Sequence, residues 1–127
     1  MPVSTYLANK LLDHVLRNVS YTPPATVYLA LYTSNPTADD TGTEVSGGNY
    51  ARVAVTFAAA AARATSNSAI IDTVRSTASW GTPSYFGLRD ASTAGNLLFY
   101  GTITAPVAVA AGKVLETAVG DLDVSMT

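Results

Sequence analysis

The stretch from Thr41 to Phe57, TGTEVSGGNYARVAVTF, constrains this chain more than any other, because a polar, glycine-bearing loop runs directly into a strand pattern. Successive side chains on a strand point to opposite faces, so Ala51, Val53, Val55 and Phe57 are expected on one side and Tyr50, Arg52, Ala54 and Thr56 on the other. Gly47, Gly48 and Asn49 supply the backbone freedom for a turn or bulge at the strand entrance.

Around that stretch the chain reads as one helix followed by many short strands. Ser4 is a natural N-cap, and Leu7, Ala8, Leu11, Leu12, Val15 and Leu16 recur at spacings of three and four. The spacing predicts a helix over about residues 4–18, with an apolar stripe wide enough to pack on a sheet or to dock on a neighbouring subunit. Tyr21-Thr22-Pro23-Pro24 breaks it and delivers an extended segment, Ala25 to Thr33, which is apolar on both faces and therefore central or covered twice. Residues 34–49 form a long loop without apolar period, and loops of that length are usually functional or disordered. Ala58 to Ala62 fits helix, flat strand or connector, and Thr65 to Ser68 reads as a turn. Further strands are predicted over residues 69–78, 85–89, 97–104, 107–110 and 114–118, with a bulge or close approach at Gly101 and a last edge strand over 121–126. The sum is an all-β chain: a single domain over residues 1–127, a two-sheet antiparallel β-sandwich, jelly-roll-like or Ig-like, with one N-terminal α-helix.

Composition narrows the function. At 127 residues the chain can bury about two-thirds of its unfolded surface, so it needs no staples. It has no cysteine, hence no disulfide and no thiol nucleophile or thiolate metal site. A net charge of −2 with 13% charged residues gives no footprint for nucleic acid or for an anionic membrane. The N-terminus lacks a signal-peptide pattern, which leads to the expectation of a soluble protein made in a cytoplasm. Average domains carry about 25% charged residues, so so weakly charged a surface points to coverage by partners in an assembly.

No motif carries catalysis. His14 is the lone histidine, reads as a half-exposed helix residue, and no P-loop or dinucleotide fingerprint occurs. Asp39, Asp40 and Glu44 do not follow calcium-loop spacing and read as a solvated acidic loop, so no metal or cofactor is expected. Trp80 is expected as a buried anchor, and Tyr28, Tyr32, Tyr50 and Tyr100 fit core or interface burial better than a sugar-binding groove.

The segments LLDHVLRNVSYTPPATVYLALYTSNPT, GTEVSGGNYARVAVTF, Trp80-Gly81, YFGLRDAS with GNLLFYG, and VAAGKVLETAVGDLDV resemble a family of small tailed-bacteriophage virion structural proteins, often labelled tail fibre. The resemblance spans nearly the whole chain and implies a non-enzymatic virion part. Shortness, low charge and the long loop favour a capsid decoration (cement) protein bound to the major capsid protein. A tail component, fibre or tail tip, is the alternative, since a fibre is expected to show repeats or a coiled coil. Expected partners are the major capsid protein or other virion proteins and further copies of the chain, in a virion assembled in the host cytoplasm. Interface residues are expected on the helix (Leu7, Leu11, His14), in the loop (Asn35, Thr41, Glu44) and at its exit (Tyr50, Arg52), and deleting residues 37–45 should leave the domain folded.

Overall fold

The computed structural model describes residues 2–126. Helix α1 (Thr5–Arg17) begins where the cap rule puts it. Ser4 holds an extended backbone, and its Oγ accepts the Leu7 amide at 3.1 Å while donating to the Leu97 carbonyl at 2.5 Å. The Ser4 and Thr5 amides reach the carbonyls of Leu98 and Ala38, so the helix start is fixed to two other segments, one through buried Ser4 and the other through Thr5. At the other end Asn18 adopts the left-handed conformation that closes many helices.

The main sheet has four antiparallel strands in the order β2 (Val53–Val55), β1 (Val27–Tyr32), β5 (Tyr85–Arg89), β6 (Leu97–Thr102). The apolar character of β1 on both faces is explained by its central place. Leu29 stands opposite Val53 on one side and Leu88 on the other, and these side chains form one continuous core face with Val55. Two antiparallel ribbons cover that face: β3 (Ala64–Ser66) with β8 (Asp123–Ser125), and β4 (Ile71–Asp72) with β7 (Glu116–Thr117). They contribute Ile71, Leu122 and Val124 to the same core. The chain is thus all-β with a single helix, and its second layer is made of two ribbons. Asn67, between β3 and β4, joins them: its buried amide donates to the Ala69 and Ala118 carbonyls and accepts from the Leu122 amide.

A second cluster gathers Leu31, Val45, Trp80 and Val109, with Tyr50 edge-on to the indole at 5.5 Å between ring centroids. Trp80 is the expected anchor. Several local expectations change. Tyr50 turns inward and Ala51 is exposed, because alternation begins only at Val53, after Gly47, Gly48 and Asn49 have each taken a positive φ. Residues 64–66 are strand rather than the start of a turn; the turn comes earlier, at left-handed Ala62 and Arg63. The expected strand over 69–78 shortens to Ile71–Asp72, and the pair 107–110 and 114–118 to Glu116–Thr117 plus a bridge between Val109 and Gly81. The β6 irregularity falls at Leu98, where Leu88 faces Phe99 and Arg89 faces Leu97; Gly101 pairs regularly with Phe86.

Gly48 couples the loop to the tryptophan. Its φ is +57°, its carbonyl accepts the Trp80 indole N–H at 2.9 Å, and a β-carbon there would lie 2.8 Å from the Ala78 carbonyl oxygen. Gly48→Ala should therefore cost about 2 kcal/mol from conformation and crowding together, lowering the Tm by roughly 5–10 °C. Thermal unfolding followed by tryptophan fluorescence checks this; an unchanged melt would mean that the turn is not coupled to the core.

Candidate functional site

Two arginines organise one end of the sheet. Arg89 closes β5 on the face opposite the Leu29 core, in register with Tyr28, and its side chain is 8% exposed. It makes a two-pronged ion pair with Asp40, Nη1 to Oδ1 at 2.7 Å and Nη2 to Oδ2 at 2.8 Å, and also donates to the Tyr32 hydroxyl and the Gly95 carbonyl. Arg52, at the entrance to β2, pairs in the same two-pronged way with Glu44 at 2.8 Å for each bond and donates to the carbonyls of Ala91 and Ala94. The Tyr50 hydroxyl donates to Glu44 and accepts the Leu31 amide. Each arginine thereby bridges the loop 34–49, through its carboxylate, to the hairpin 90–96, through its carbonyls.

The loop is compact in its own right. Asn35 Oδ1 accepts the Thr37 amide, the Thr37 and Thr41 hydroxyls meet at 2.7 Å, and the Thr41 amide reaches the Pro36 carbonyl at 2.6 Å. Gly42 passes so close to Pro36 that a β-carbon would lie 2.6 Å from its Cα. Val45 is buried, and its amide bonds to Leu31 of β1. The loop is therefore a strap built into the fold, which corrects two expectations: Asp40, though still open to solvent, and Glu44 are held in ion pairs with arginines, and a deletion of residues 37–45 would remove both pairs and a core valine.

Electrostatics follow from the geometry. Burial raises the Glu44 carboxyl, but hydrogen bonds from Arg52 and Tyr50 outweigh it and hold the group below the usual carboxylate range. Burial pushes the Tyr50 and Tyr32 phenols up, which keeps the Tyr50 hydroxyl a donor to Glu44, while the Tyr32 hydroxyl accepts from Arg89. Burial alone would lower Arg89, yet Asp40 and Tyr32 hold it above its ordinary value. This constellation locks segments in place, and its carboxylates are spent on guanidinium groups rather than poised to move protons.

The sequence-predicted residues fall in three places. Glu44, Tyr50 and Arg52 meet in the clamp; Asn35 and Thr41 lie on the strap. Leu7 is buried, Leu11 half-buried, and His14 exposed with Nδ1 2.9 Å from the Val19 carbonyl at the helix end. Arg89 and Asp40 went unnoticed as a pair. The available signal was an arginine inside YFGLR, since a charge in a strand between two covered strands requires a buried partner. Beyond its first turns α1 leaves its stripe bare: Leu12 is 56% exposed and Val15 and Leu16 73% each.

Removing Arg52 leaves Glu44 without its partner and two carbonyls without donors. Because Glu44 keeps a quarter of its side-chain exposure, Arg52→Met should cost about 2–3 kcal/mol rather than the full cost of a buried orphan charge. A carboxyl lowered in the folded state stabilises above its unfolded pKa, and that stabilisation fades as pH falls through the lower folded value. Urea unfolding should accordingly separate wild type from Glu44→Gln most at neutral pH and bring them together in acid; a gap that persists in acid would assign the effect to packing.

No curated protein matches the chain. A family model does, that of the podophage GP4 fiber I protein gp80, and it covers residues 2–125 of the 127. With nearly every residue inside that match and an all-β fold as its product, the chain belongs to the podophage GP4 fiber I protein gp80 family, a family of phage virion structural proteins.

Proposed function

We propose that the protein is a non-enzymatic part of a bacteriophage fibre, held in the virion by protein–protein contacts made through the bare stripe of α1. The observation that carries this reading is the contrast between the two ends of the molecule. The strap and hairpin are immobilised by paired charges, whereas Leu12, Val15 and Leu16 stand in water on a capped helix. Exposed apolar side chains gathered on one face mark a surface meant to be covered. The family's fibre designation supports placing that cover in a fibre.

Capsid decoration is the second reading, favoured by a chain of 127 residues with 13% charge, which suits repeated binding at lattice junctions on the major capsid protein. On either reading the partners are other virion proteins and further copies of the chain, and the place is the virion. Of the interface residues expected from sequence, Leu11 is half-buried beside the stripe and His14 is exposed on another face of α1, while Asn35 and Thr41 offer a polar second contact on the strap.

Electron cryomicroscopy of the intact virion tests the choice. Density of this fold in the tail or its fibres is the expected result. Copies at the symmetry axes of the head would replace the fibre reading with decoration.

A further inference from the structure

The two layers do not close completely. Between the four-stranded sheet and the ribbon β4–β7 lies a cleft of about 460 Å³, within the range of cavities that take up a ligand or a partner's side chains. Leu29, Leu31 and Ile71, all buried, form its floor together with Phe86. The charged residues that line it are Glu116, Asp121 and Asp123, each exposed and each a carboxylate. Asp72 adds a fourth, because it stands directly opposite Glu116 in the ribbon, where like charges repel. Among the described residues no cation forms an ion pair with any of the four. An occupant that relieves this end of the ribbon brings small apolar groups and positive charge on one tip.

The other end of the same ribbon is such a tip. Past the Thr73 amide, which bonds to the Leu115 carbonyl, the ribbon runs on to a finger at residues 110–114. Buried Ser76 is its root: the Ser76 amide donates to the Lys113 carbonyl and its carbonyl accepts the Gly112 amide at 2.7 Å. Its Oγ donates to the Ala110 carbonyl at 2.6 Å and accepts the Lys113 amide at 3.0 Å. Gly112 turns the chain at a φ of +82°, and a β-carbon there would meet nothing within 4 Å, so the turn stands clear of the rest of the molecule. Ala110, Ala111 and Gly112 keep the tip slim, and Val114 beside them is also exposed. The cations lie on the tip itself. Arg75 Nη1 donates to the Gly112 carbonyl at 2.7 Å, and Lys113 is the next residue; both are exposed, and neither forms an ion pair among the described residues.

We propose that two copies of the chain exchange fingers, residues 110–114 of each entering the cleft of the other, with Lys113 and Arg75 facing the carboxylates. Charge decides against pairing like with like, because finger on finger gathers four cations and cleft on cleft sets two acidic rims face to face. Finger and cleft share one ribbon, Leu115 lining the cleft directly after the finger ends. A two-fold axis that seats one finger therefore seats the other, and the union closes as a dimer, the commonest symmetry of homo-oligomers. The bonds to Ser76 order the finger before it binds, which lowers the entropy cost of docking. The contact uses no residue of α1 and leaves its stripe to the virion partner proposed above. It gives a surface to the further copies of the chain named in that reading, but the contact is tested in solution and that reading in the particle, so either can fail alone.

Sedimentation velocity of the full chain over a range of concentrations provides the test. Exchange predicts a monomer–dimer equilibrium that moves towards monomer as salt screens the rim. Lys113→Glu on the finger and Asp121→Lys on the rim should each weaken the dimer about tenfold or more. Mixing the two variants should restore it, since one union is then wild type and the other pairs the reversed charges. Both positions are exposed, and matching thermal melts verify folding; if either variant melts early, Lys113→Gln or Asp123→Lys replaces it. The absence of cysteine gives a second readout. Copies carrying Ala111→Cys, mixed with copies carrying Thr104→Cys on the cleft wall and treated with a short bis-maleimide linker, should yield the mixed pair in preference to either self pair. Four results would overturn the proposal. They are a wild-type monomer at every concentration, growth beyond a dimer, a dimer lost to Leu16→Glu yet indifferent to both charge reversals, which is pairing through α1, and cross-linking that yields self pairs of Ala111→Cys as readily as mixed ones.

Discussion

A guanidinium buried at the end of β5 sets the terms for the rest of the molecule. Taking a charge out of water costs several kcal/mol unless a counter-charge and hydrogen bonds surround it. Arg89 meets that demand by drawing four segments to one point: its own strand, Tyr32 at the end of β1, Asp40 on the strap and Gly95 in the hairpin. A lysine could not do so, because a single ammonium lacks the planar fork that engages both oxygens of one carboxylate. Gly87, beside Arg89, matters for the same reason. A β-carbon there would lie 2.9 Å from the Tyr32 ring and 2.7 Å from a Leu97 methyl, displacing the phenol that Arg89 requires. Only Nε of Arg89 lacks a partner among the buried side-chain nitrogens and oxygens of the described residues.

Arg52 repeats the device on the other flank, and together the two pairs account for the order of a sixteen-residue loop with little apolar content. Ordering a loop costs about 1–2 kcal/mol per residue in backbone entropy. Buried Val45 and Pro36, the amide bonds to β1 and the two ion pairs offset that cost jointly. Surface ion pairs could not, since they contribute little in water. The same accounting leaves an even less charged exterior than composition implies, because two of the seven cations lie inside.

What could be read in the sequence, and what could not, divides along the range of the forces involved. Ser4 and the stripe after it located α1 because capping and helical periodicity act over four residues. β1 announced its central position because both of its faces are apolar. Residues 58–78 were opaque: alanine, serine and threonine pack acceptably in strand or turn, so pairing with β8, distant in sequence, decides the outcome there. Tyr50 and Arg52 were singled out for a partner outside the chain, and in the fold Glu44, only a few residues upstream, takes both. Local pattern shows that a polar side chain needs a partner; the topology determines whether that partner comes from within.

The helix carries the consequence furthest. A helix of thirteen residues is marginal on its own, because nucleation is costly and each further residue adds little. In α1 nucleation is supplied from outside, by Ser4 bonded to Leu97 and by Thr5 bonded to Ala38, so the first turn is as firm as the sheet. The turns from Leu12 onward rest on propagation, the Asn18 cap and one exposed ion pair. Those are also the turns whose apolar side chains lack cover in the chain. Covering them with a neighbour's surface would therefore strengthen the helix as it forms the contact, so that assembly and the order of this one element are thermodynamically linked while the clamped end stays unchanged.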